Sequence, residues 1–480
     1  MPKRNLVIVC LLVVACLVAW AARDRNGRGR LFAEATGYIE RMHLDPVDEE
    51  ALFRAAMDGM FSKLDEHSAY VVAEQRQNID GELSGEFVGV GLELAADSGR
   101  RWITVTTPVA DSPAWRAGIA AGDRVLAIDG RSTDGMLLKD AVAALRGAVG
   151  SRVAVEVAPP EAPAGELSAV TDASPQESLS EQQTFSLERS VVRALSVSGD
   201  RRLANGAWDW MLEGEDRIAL VRISKFGQHT LDELAVACAA LVAAGPPAGI
   251  ILDLRGNSGG LMAVAIEVCD QLIDDGVIVS TRRRPAAGTR PMPAAVDQID
   301  VRRATPGAVL RDVPMVVLID GLTASAAEIV AACLQDNGRA VLVGSRTYGK
   351  GTVQSFVPLS DGRSVLKLTT SEYLRPNRAT IHRSPDDTDG ELWGVTPDRN
   401  FEITPTGITL ERIRDWRRQR DAVPRFGGPS ALDIKRAESA IPSTGGADDG
   451  SAAALPRHID PVIGRGLGAL AIQRASQPAE

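Results

Sequence analysis

Three short stretches of this chain carry side chains that could do covalent chemistry. The first is Thr323-Ala324-Ser325-Ala326-Ala327-Glu328, which follows the apolar run 313–319 and leads into an Ala/Ile/Val-rich helical pattern. A serine at a strand-to-helix junction is exposed, and the positive end of the helix beside it favours developing negative charge. Serine is a weak nucleophile without a base, and Tyr348-Gly349-Lys350-Gly351-Thr352-Val353-Gln354 offers one. A lysine can serve if burial lowers its pKa from about 10.4 to roughly 7–8, a cost of about 4 kcal/mol that desolvation can supply. The glycines flanking Lys350 would let the backbone pack closely and shield the amine. Without chemistry, Ser325 reads as a helix cap and Lys350 as a surface charge, and spacing alone does not separate the two.

Two other stretches compete. Gly256-Asn257-Ser258-Gly259-Gly260 resembles the nucleophile loop of trypsin-like proteases, including the exported PDZ-bearing proteases of the high-temperature-requirement type. That chemistry needs a histidine base held by an aspartate. Of His43, His67, His229, His382 and His458, none stands in a Thr-x-x-His-Val-like strand end, and 261–273 reads as a helix where that loop leads into a strand. Gly344-Ser345-Arg346-Thr347-Tyr348-Gly349-Lys350 nearly spells a phosphate-binding loop, but Gly351 replaces the magnesium-holding Ser or Thr. The next stretch, 352–359, reads as a strand, so no helix N-terminus is there to cradle a phosphate.

The elements that must position these loops are legible around them. Strands are predicted at 217–223, 249–254, 277–281, 313–319 and 339–343, with helices at 230–244, 260–273 and 325–336. Strand alternating with helix implies an α/β layer. Asp361-Gly362 marks a turn before a strand at 364–370. Upstream, residues 31–80 read as helices, through Leu31, Ala35, Tyr38, Ile39 and Met42 and then Leu52, Ala56, Met60 and Leu64. His67, in Leu64-Asp65-x-His67-Ser68, reads as structural. Residues 158–182 are Pro-, Ala-, Ser- and Glu-rich without periodicity and residues 424–456 Pro-, Gly-, Ser- and Ala-rich, and both read as flexible. The charged, Trp-bearing stretch 411–420 predicts a solvated helix.

Composition sets the outer limits. A chain of 480 residues, 45% hydrophobic and 24% charged, is long enough for several cored domains and is neither disordered nor polytopic. The net charge of −10 leaves no basic excess for neutralising phosphates, so no nucleic-acid partner is expected. Five cysteines make no disulfide framework. Cys238, Cys269 and Cys333 read as buried small hydrophobes. Residues 6–22 are apolar throughout, preceded by Lys3 and Arg4 and followed by Arg23, Arg25, Arg28 and Arg30. That run would reach about 26 Å as a helix, at the short end of a membrane span. Ala19-Trp20-Ala21 also suits a cleavage site, and Val13-Val14-Ala15-Cys16 distantly suits a lipoprotein site. All three readings mean export, with the bulk of the chain outside the cytoplasm.

Between 88 and 157 the texture changes to short strands and glycine turns, with strands at 102–107 and 124–128 and a helix at 139–145. Gly89-Val90-Gly91-Leu92, Ser112-Pro113-Ala114, Ala117-Gly118-Ile119, Gly122-Asp123 and Ile128-Asp129-Gly130 together resemble a PDZ domain. A glycine-flanked loop ahead of a strand can aim backbone N–H groups at a carboxylate, and the strand edge can take an extended peptide. The resemblance implies recognition of apolar C-termini at Gly89, Val90, Gly91 and Leu92. Its position ahead of the serine loops also departs from the trypsin-like PDZ proteases, where the PDZ module comes second.

Ala324-Ser325-Ala326-x-Glu328-Ile329, Gln335-Asp336-x-Gly338-Arg339-Ala340 and Gly344 through Gln354 form a specific set. With Leu252-Asp253-Leu254-Arg255-x-Asn257-x-Gly259-Gly260 and Leu64-Asp65-x-His67-Ser68-x-Tyr70, they resemble the C-terminal processing (tail-specific) proteases, a Ser/Lys peptidase family with an embedded PDZ domain. The likeness runs over 31–400, resumes at 460–471, and is closed in the core by Gly394-Val395-Thr396-Pro397-Asp398. It implies Ser325 as nucleophile, Lys350 as general base and Gln354 as the residue orienting the lysine. The oxyanion hole would come from N–H groups of Ala326 and of the pair Gly259 and Gly260, with Gly260 favoured. Ser258 and Ala327 depart from the family's usual Pro or Gly and Ser, without removing a reacting group.

The expected architecture is α+β and multidomain, an α/β protease core with an inserted PDZ domain and an N-terminal helical segment. The boundaries are 1–30 for a signal peptide or membrane anchor, 31–84 helical, 85–160 PDZ, 161–182 a flexible insert, 183–400 protease core and 401–480 a C-terminal extension. The expected activity is that of an exported serine endopeptidase of the cell envelope or periplasm, anchored in the inner membrane if 6–22 is not cut. It acts on protein or peptide substrates with apolar C-termini, and no metal or other cofactor is expected. Homo-oligomerisation is left open. The alternatives are a non-catalytic PDZ scaffold with a protease-like core and a histidine-dependent protease using Ser258.

Overall fold

The computed structural model describes residues 27–96, 102–159, 182–203, 205–283, 298–384, 387–388, 392–422 and 458–476. The apolar run 6–22, most of the insert and all of 424–456 lie outside them. The chain divides into two units, 1–71 with 356–368, and 72–355 with 369–480.

In the first unit the helices Gly27–Met42 and Glu49–Phe61 precede the short strand Ala69–Val71. Asp48 caps the second helix by accepting from Glu50 and Ala51 N–H. Ala69–Val71 pairs antiparallel with residues 365–367. Phe53 meets Tyr70 edge-on at 5.8 Å. Asp65 accepts from the His67 N–H and the Ser68 hydroxyl, a tight turn that accounts for the Asp-x-His-Ser spacing without chemistry.

The second unit is built on a sheet in the order Val197–Ser198, Ile218–Ile223, Gly249–Asp253, Met315–Ile319, Val341–Gly344. The last four strands run parallel. Gly249–Asp253 and Met315–Ile319 are buried at every residue, as strands covered on both faces must be. Ile250, Leu252, Val317 and Ile319 face the helices Thr230–Ala243, Met262–Leu272 and Ala326–Asp336. The alternate residues Ile251, Val316 and Leu318 face Trp416 and the C-terminal helix Pro461–Ala475. Trp416 and Arg420 are buried, so Ile408–Asp421 is not the solvated helix its charge density predicts. Arg420 reaches Asp200 and Glu213, which gives its charge partners inside the fold.

A second sheet brings Val277–Arg283 against Gln298–Arg303 and against residues 371–374. The PDZ module joins Leu92–Ala95, Ile103–Pro108, Arg124–Ile128, Arg152–Ala158 and Gln183–Glu188 in one sheet. The last of these lies beyond the expected boundary at 160 and past the insert, yet pairs with Arg152–Ala158 along its whole length. The PDZ sheet therefore takes a strand from the stretch expected to begin the protease core. Val153, Val155 and Leu187 are buried together there, which fixes that pairing. Cys238, Cys269 and Cys333 are free and buried, as expected.

Candidate active site

Three loops build the site, each at the carboxyl end of a parallel strand: 254–260 after Gly249–Asp253, 320–325 after Met315–Ile319, and 345–351 after Val341–Gly344. Such strand ends are where open α/β sheets carry their ligands.

Ser325 closes the second loop at the start of Ala326–Asp336, with φ 56° and ψ −118°. A non-glycine residue held in such a region costs about 1–3 kcal/mol, so its surroundings must impose it. They do so from three sides. The Thr323 hydroxyl donates to the Leu254 carbonyl at 3.0 Å, the Ala324 N–H to the Asn257 carbonyl at 2.9 Å, and the Ser325 N–H to Glu328 Oε2 at 2.8 Å.

Glu328 is fully buried. Its Oε2 also accepts the Lys350 N–H at 2.8 Å, while Oε1 accepts the Gly349 N–H at 2.8 Å and the Thr347 hydroxyl at 2.5 Å. One carboxyl group thus pins the backbones of the serine and lysine loops together. Burial pushes its pKa above the ordinary range, against the pull of these donors. Lys350 is half-buried. The glycines beside it sit where the sequence requires them. A Cβ on Gly349 would lie 2.8 Å from the Trp393 ring, and one on Gly351 2.4 Å from the His382 backbone. The Lys350 carbonyl accepts from the Tyr373 hydroxyl. Gln354 lies on Thr352–Pro358 with its amide donating to the Thr352 hydroxyl at 3.0 Å and the Thr369 hydroxyl at 3.3 Å.

The glycine pair packs directly on the serine. A Cβ on Gly259 would meet Ser325 Cβ and the Ala324 carbonyl at 2.8 Å and Ala326 N at 2.9 Å. One on Gly260 would meet the Phe226 carbonyl at 2.3 Å. At their φ values of 103° and 138° a side chain would be strained in any case. Buried Asn257 shapes the turn, donating to the Ile223 carbonyl and accepting the Gly259 N–H, both at 2.8 Å. The Gly259 N–H therefore has a protein acceptor. Among the described residues no acceptor takes the N–H of Gly260 or Ala326. At the base of the loop Arg255 grips Asp253 through Nε at 2.9 Å and Nη2 at 2.6 Å, with Asp460 at 2.9 Å from Nη1. Burial works upward on Asp253, but the guanidinium beside it holds the carboxyl below its ordinary range.

Ser258 is exposed, and no histidine lies on any of the three loops. A helix, Met262–Leu272, comes next, as the sequence predicts. Among the described residues no group of His, Cys, Asp and Glu is arranged to hold a metal ion.

In the PDZ module Gly89 ends the strand Glu86–Gly89, and Gly91, at φ 78°, turns the chain into Leu92–Ala95. A Cβ on Gly91 would lie 2.1 Å from Ser112 Cβ. The carbonyls of Val90 and Gly91 are tied inward by Ala114 and Val109 N–H. These four residues, with Phe87, Val142, Leu145 and Arg146, line a cavity of about 160 Å³. Val90 is otherwise buried in the module's core. Arg189, itself buried, donates to the Ala144 and Leu145 carbonyls and so caps the helix Leu138–Leu145 that forms the far wall.

The sequence reading does not single out Glu328, Asn257 or Tyr373. Glu328 carries a signal, since Ser-x-x-Glu is the spacing of a reciprocal helix cap. Tyr373 carries none, because nothing local connects it to Lys350.

The description "Peptidase family S41" matches residues 217–401, and a PDZ domain matches 104–159. A carboxy-terminal-processing protease of Bartonella bacilliformis is 32% identical over 372 residues, spanning 76% of this chain and 73% of that protein. A carboxyl-terminal-processing protease of Synechocystis is 34% identical over 366 residues, spanning 76% and 74%. The solved structure of a photosystem II D1 C-terminal processing protease covers 79% of this chain and 94% of its own, at 27% identity and a TM-score of 0.43.

Proposed function

Because the chain belongs to the carboxy-terminal processing proteases of peptidase family S41, serine-type peptidases with a PDZ domain, we propose that Ser325 is its nucleophile and Lys350 its general base. The observation that carries this is the shared Glu328 oxygen, which fixes both backbones at 2.8 Å. The lysine amine takes the Ser325 hydroxyl proton as Oγ attacks the scissile carbonyl. The resulting oxyanion is held by the N–H groups of Gly260 and Ala326, each such donor typically contributing about 3–4 kcal/mol to the transition state. The lysine returns the proton to the leaving amine as the C–N bond breaks, and water then releases the acyl group by the same route. Gln354 aligns the lysine from the neighbouring strand. Gly259, whose N–H is already engaged, contributes by letting the loop touch Ser325.

The PDZ cavity at Gly89–Leu92 takes the terminal apolar side chain of a protein substrate, so that the chain upstream of it reaches Ser325. The apolar run 6–22 exports the protein and, if uncut, anchors it. Among the described residues no helix is long and apolar enough to cross a membrane. The test is covalent labelling with a fluorophosphonate followed by peptide mapping. The adduct is expected on Ser325, is absent from the Lys350→Ala protein, and on Ser258 would reverse the assignment.

A further inference from the structure

The two N–H groups that would hold the oxyanion come from different loops. Gly260 ends the loop 254–260, while Ala326 opens the helix that follows 320–325. An oxyanion hole works only when its donors converge within about 2.7–3.1 Å of one oxygen. The seam between these two loops therefore sets the hole. Glu328 spends its oxygens elsewhere, on the Ser325, Gly349 and Lys350 N–H groups and the Thr347 hydroxyl.

Asp320 crosses the seam. It follows the strand Met315–Ile319, and its Oδ1 accepts the Gly256 N–H of the glycine loop at 3.0 Å. The same oxygen accepts the Leu322 and Thr323 N–H groups of the serine loop, each at 3.0 Å. The Thr323 hydroxyl, which donates to the Leu254 carbonyl, lies 3.1 Å from this oxygen and accepts the Asp320 N–H at 3.0 Å. From Gly256 the hold passes to the glycine pair through Asn257, whose side chain accepts the Gly259 N–H at 2.8 Å.

We propose that Asp320 is a positioning residue of the peptidase reaction, aligning the two oxyanion donors by holding the glycine loop against the serine loop. The proposal rests on the reading of Ser325 as nucleophile and of Gly260 and Ala326 as donors, and it supplies what registers them. Two carboxylates then divide the task. Glu328 joins the serine loop to the lysine loop, and Asp320 joins it to the glycine loop.

The test is Asp320→Ala in the full chain, with Asp320→Asn, which keeps an acceptor oxygen, beside it. Two quantities are read per folded molecule, after a thermal melt of each sample. One is steady-state cleavage of an unfolded protein ending in an apolar residue. The other is inhibition by a peptide aldehyde, which adds reversibly to Ser325 and places its hemiacetal oxygen in the hole. For Asp320→Ala the expected result is a kcat roughly 10- to 100-fold lower, KM within about twofold, and an aldehyde Ki raised by the factor that kcat loses. Asp320→Asn exchanges a charged acceptor for a neutral one, so kcat should fall about 3- to 10-fold with Ki raised in proportion. That variant carries the test if the alanine protein does not fold. A fall in kcat without a rise in Ki, or wild-type values of both in either variant, overturns the proposal. Ser325→Ala is run in parallel. If it still cleaves, the dyad reading fails and the Asp320 proposal falls with it. If it is silent while the Asp320 variants match wild type, the Asp320 proposal alone falls.

Discussion

Ser325 and Lys350 donate their backbone N–H groups to the same oxygen of one buried carboxylate, Oε2 of Glu328, each at 2.8 Å. Two loops that leave different strands of the sheet therefore share one anchor, and the distance between them does not depend on either side chain. The strained φ of 56° at Ser325 lies in the same turn.

Glu328→Gln keeps the shape but replaces one acceptor oxygen with an amide that faces N–H donors. Hydrogen bonds to a charged group contribute about 1.5–3 kcal/mol each, so the variant is expected to melt at a lower temperature. With the serine and lysine loops no longer held, turnover is expected to fall about 100-fold. A thermal melt and a steady-state assay check both, and an unaltered kcat would remove Glu328 from the account.

Gly259→Ala places a methyl group 2.8 Å from Ser325 Cβ, at a φ of 103°. The loop or the serine must retreat, and a displacement of about 1 Å is enough to cost on the order of 100-fold in rate. The variant should bind peptide at its PDZ module as wild type does, which isothermal titration with a C-terminal peptide would show.

The PDZ cavity is apolar around Leu92, Val142 and Leu145. Exchanging the last residue of a substrate from Leu to Asp removes an aliphatic burial of about 1.5–3 kcal/mol. KM should rise by roughly 10-fold or more with kcat little changed. An effect confined to kcat would mean the cavity does not read the chain end.

His458 accepts the Asp460 N–H on Nδ1 at 3.0 Å and packs edge-on against Trp416. Burial lowers its pKa below the ordinary 6.5. The unfolded chain then gains a proton near pH 6.5 that the folded chain refuses, so stability is full above that pH and is lost as the pH falls toward the lowered folded value. Melting temperature should drop more steeply between about pH 7 and 5 in the wild type than in His458→Asn. Parallel curves would show that the imidazole does not titrate differently on folding.

Much of this was legible in the residues themselves. The runs at 249–254 and 313–319 read as strands of an α/β layer and are buried along their length, and the glycines flanking Lys350 point to the close packing that the fold requires. What escaped depends on partners distant in sequence. Gln298–Arg303 is exposed at every position and exists as a strand because Val277–Arg283 lies beside it. Gln183–Glu188 belongs to the PDZ sheet through pairing across an insert that no local pattern bridges. Trp416 and Arg420 sit in a stretch whose charge suggests water, and are buried because Asp200 and Glu213 are waiting for the guanidinium. Tyr373 meets Lys350 only once the sheet has formed.

The central claim is that Ser325 attacks and Lys350 takes its proton, and the direct measurement is cleavage of an unstructured protein with an apolar C-terminus. Wild type, Ser325→Ala, Lys350→Ala and Ser258→Ala, each as residues 31–480, are compared at equal folded concentration. The account predicts no turnover above background from the Ser325 and Lys350 variants, and cleavage within about twofold of wild type from the exposed Ser258 variant. Undiminished cleavage by Lys350→Ala, or loss of it in Ser258→Ala with Ser325→Ala still active, would contradict the account.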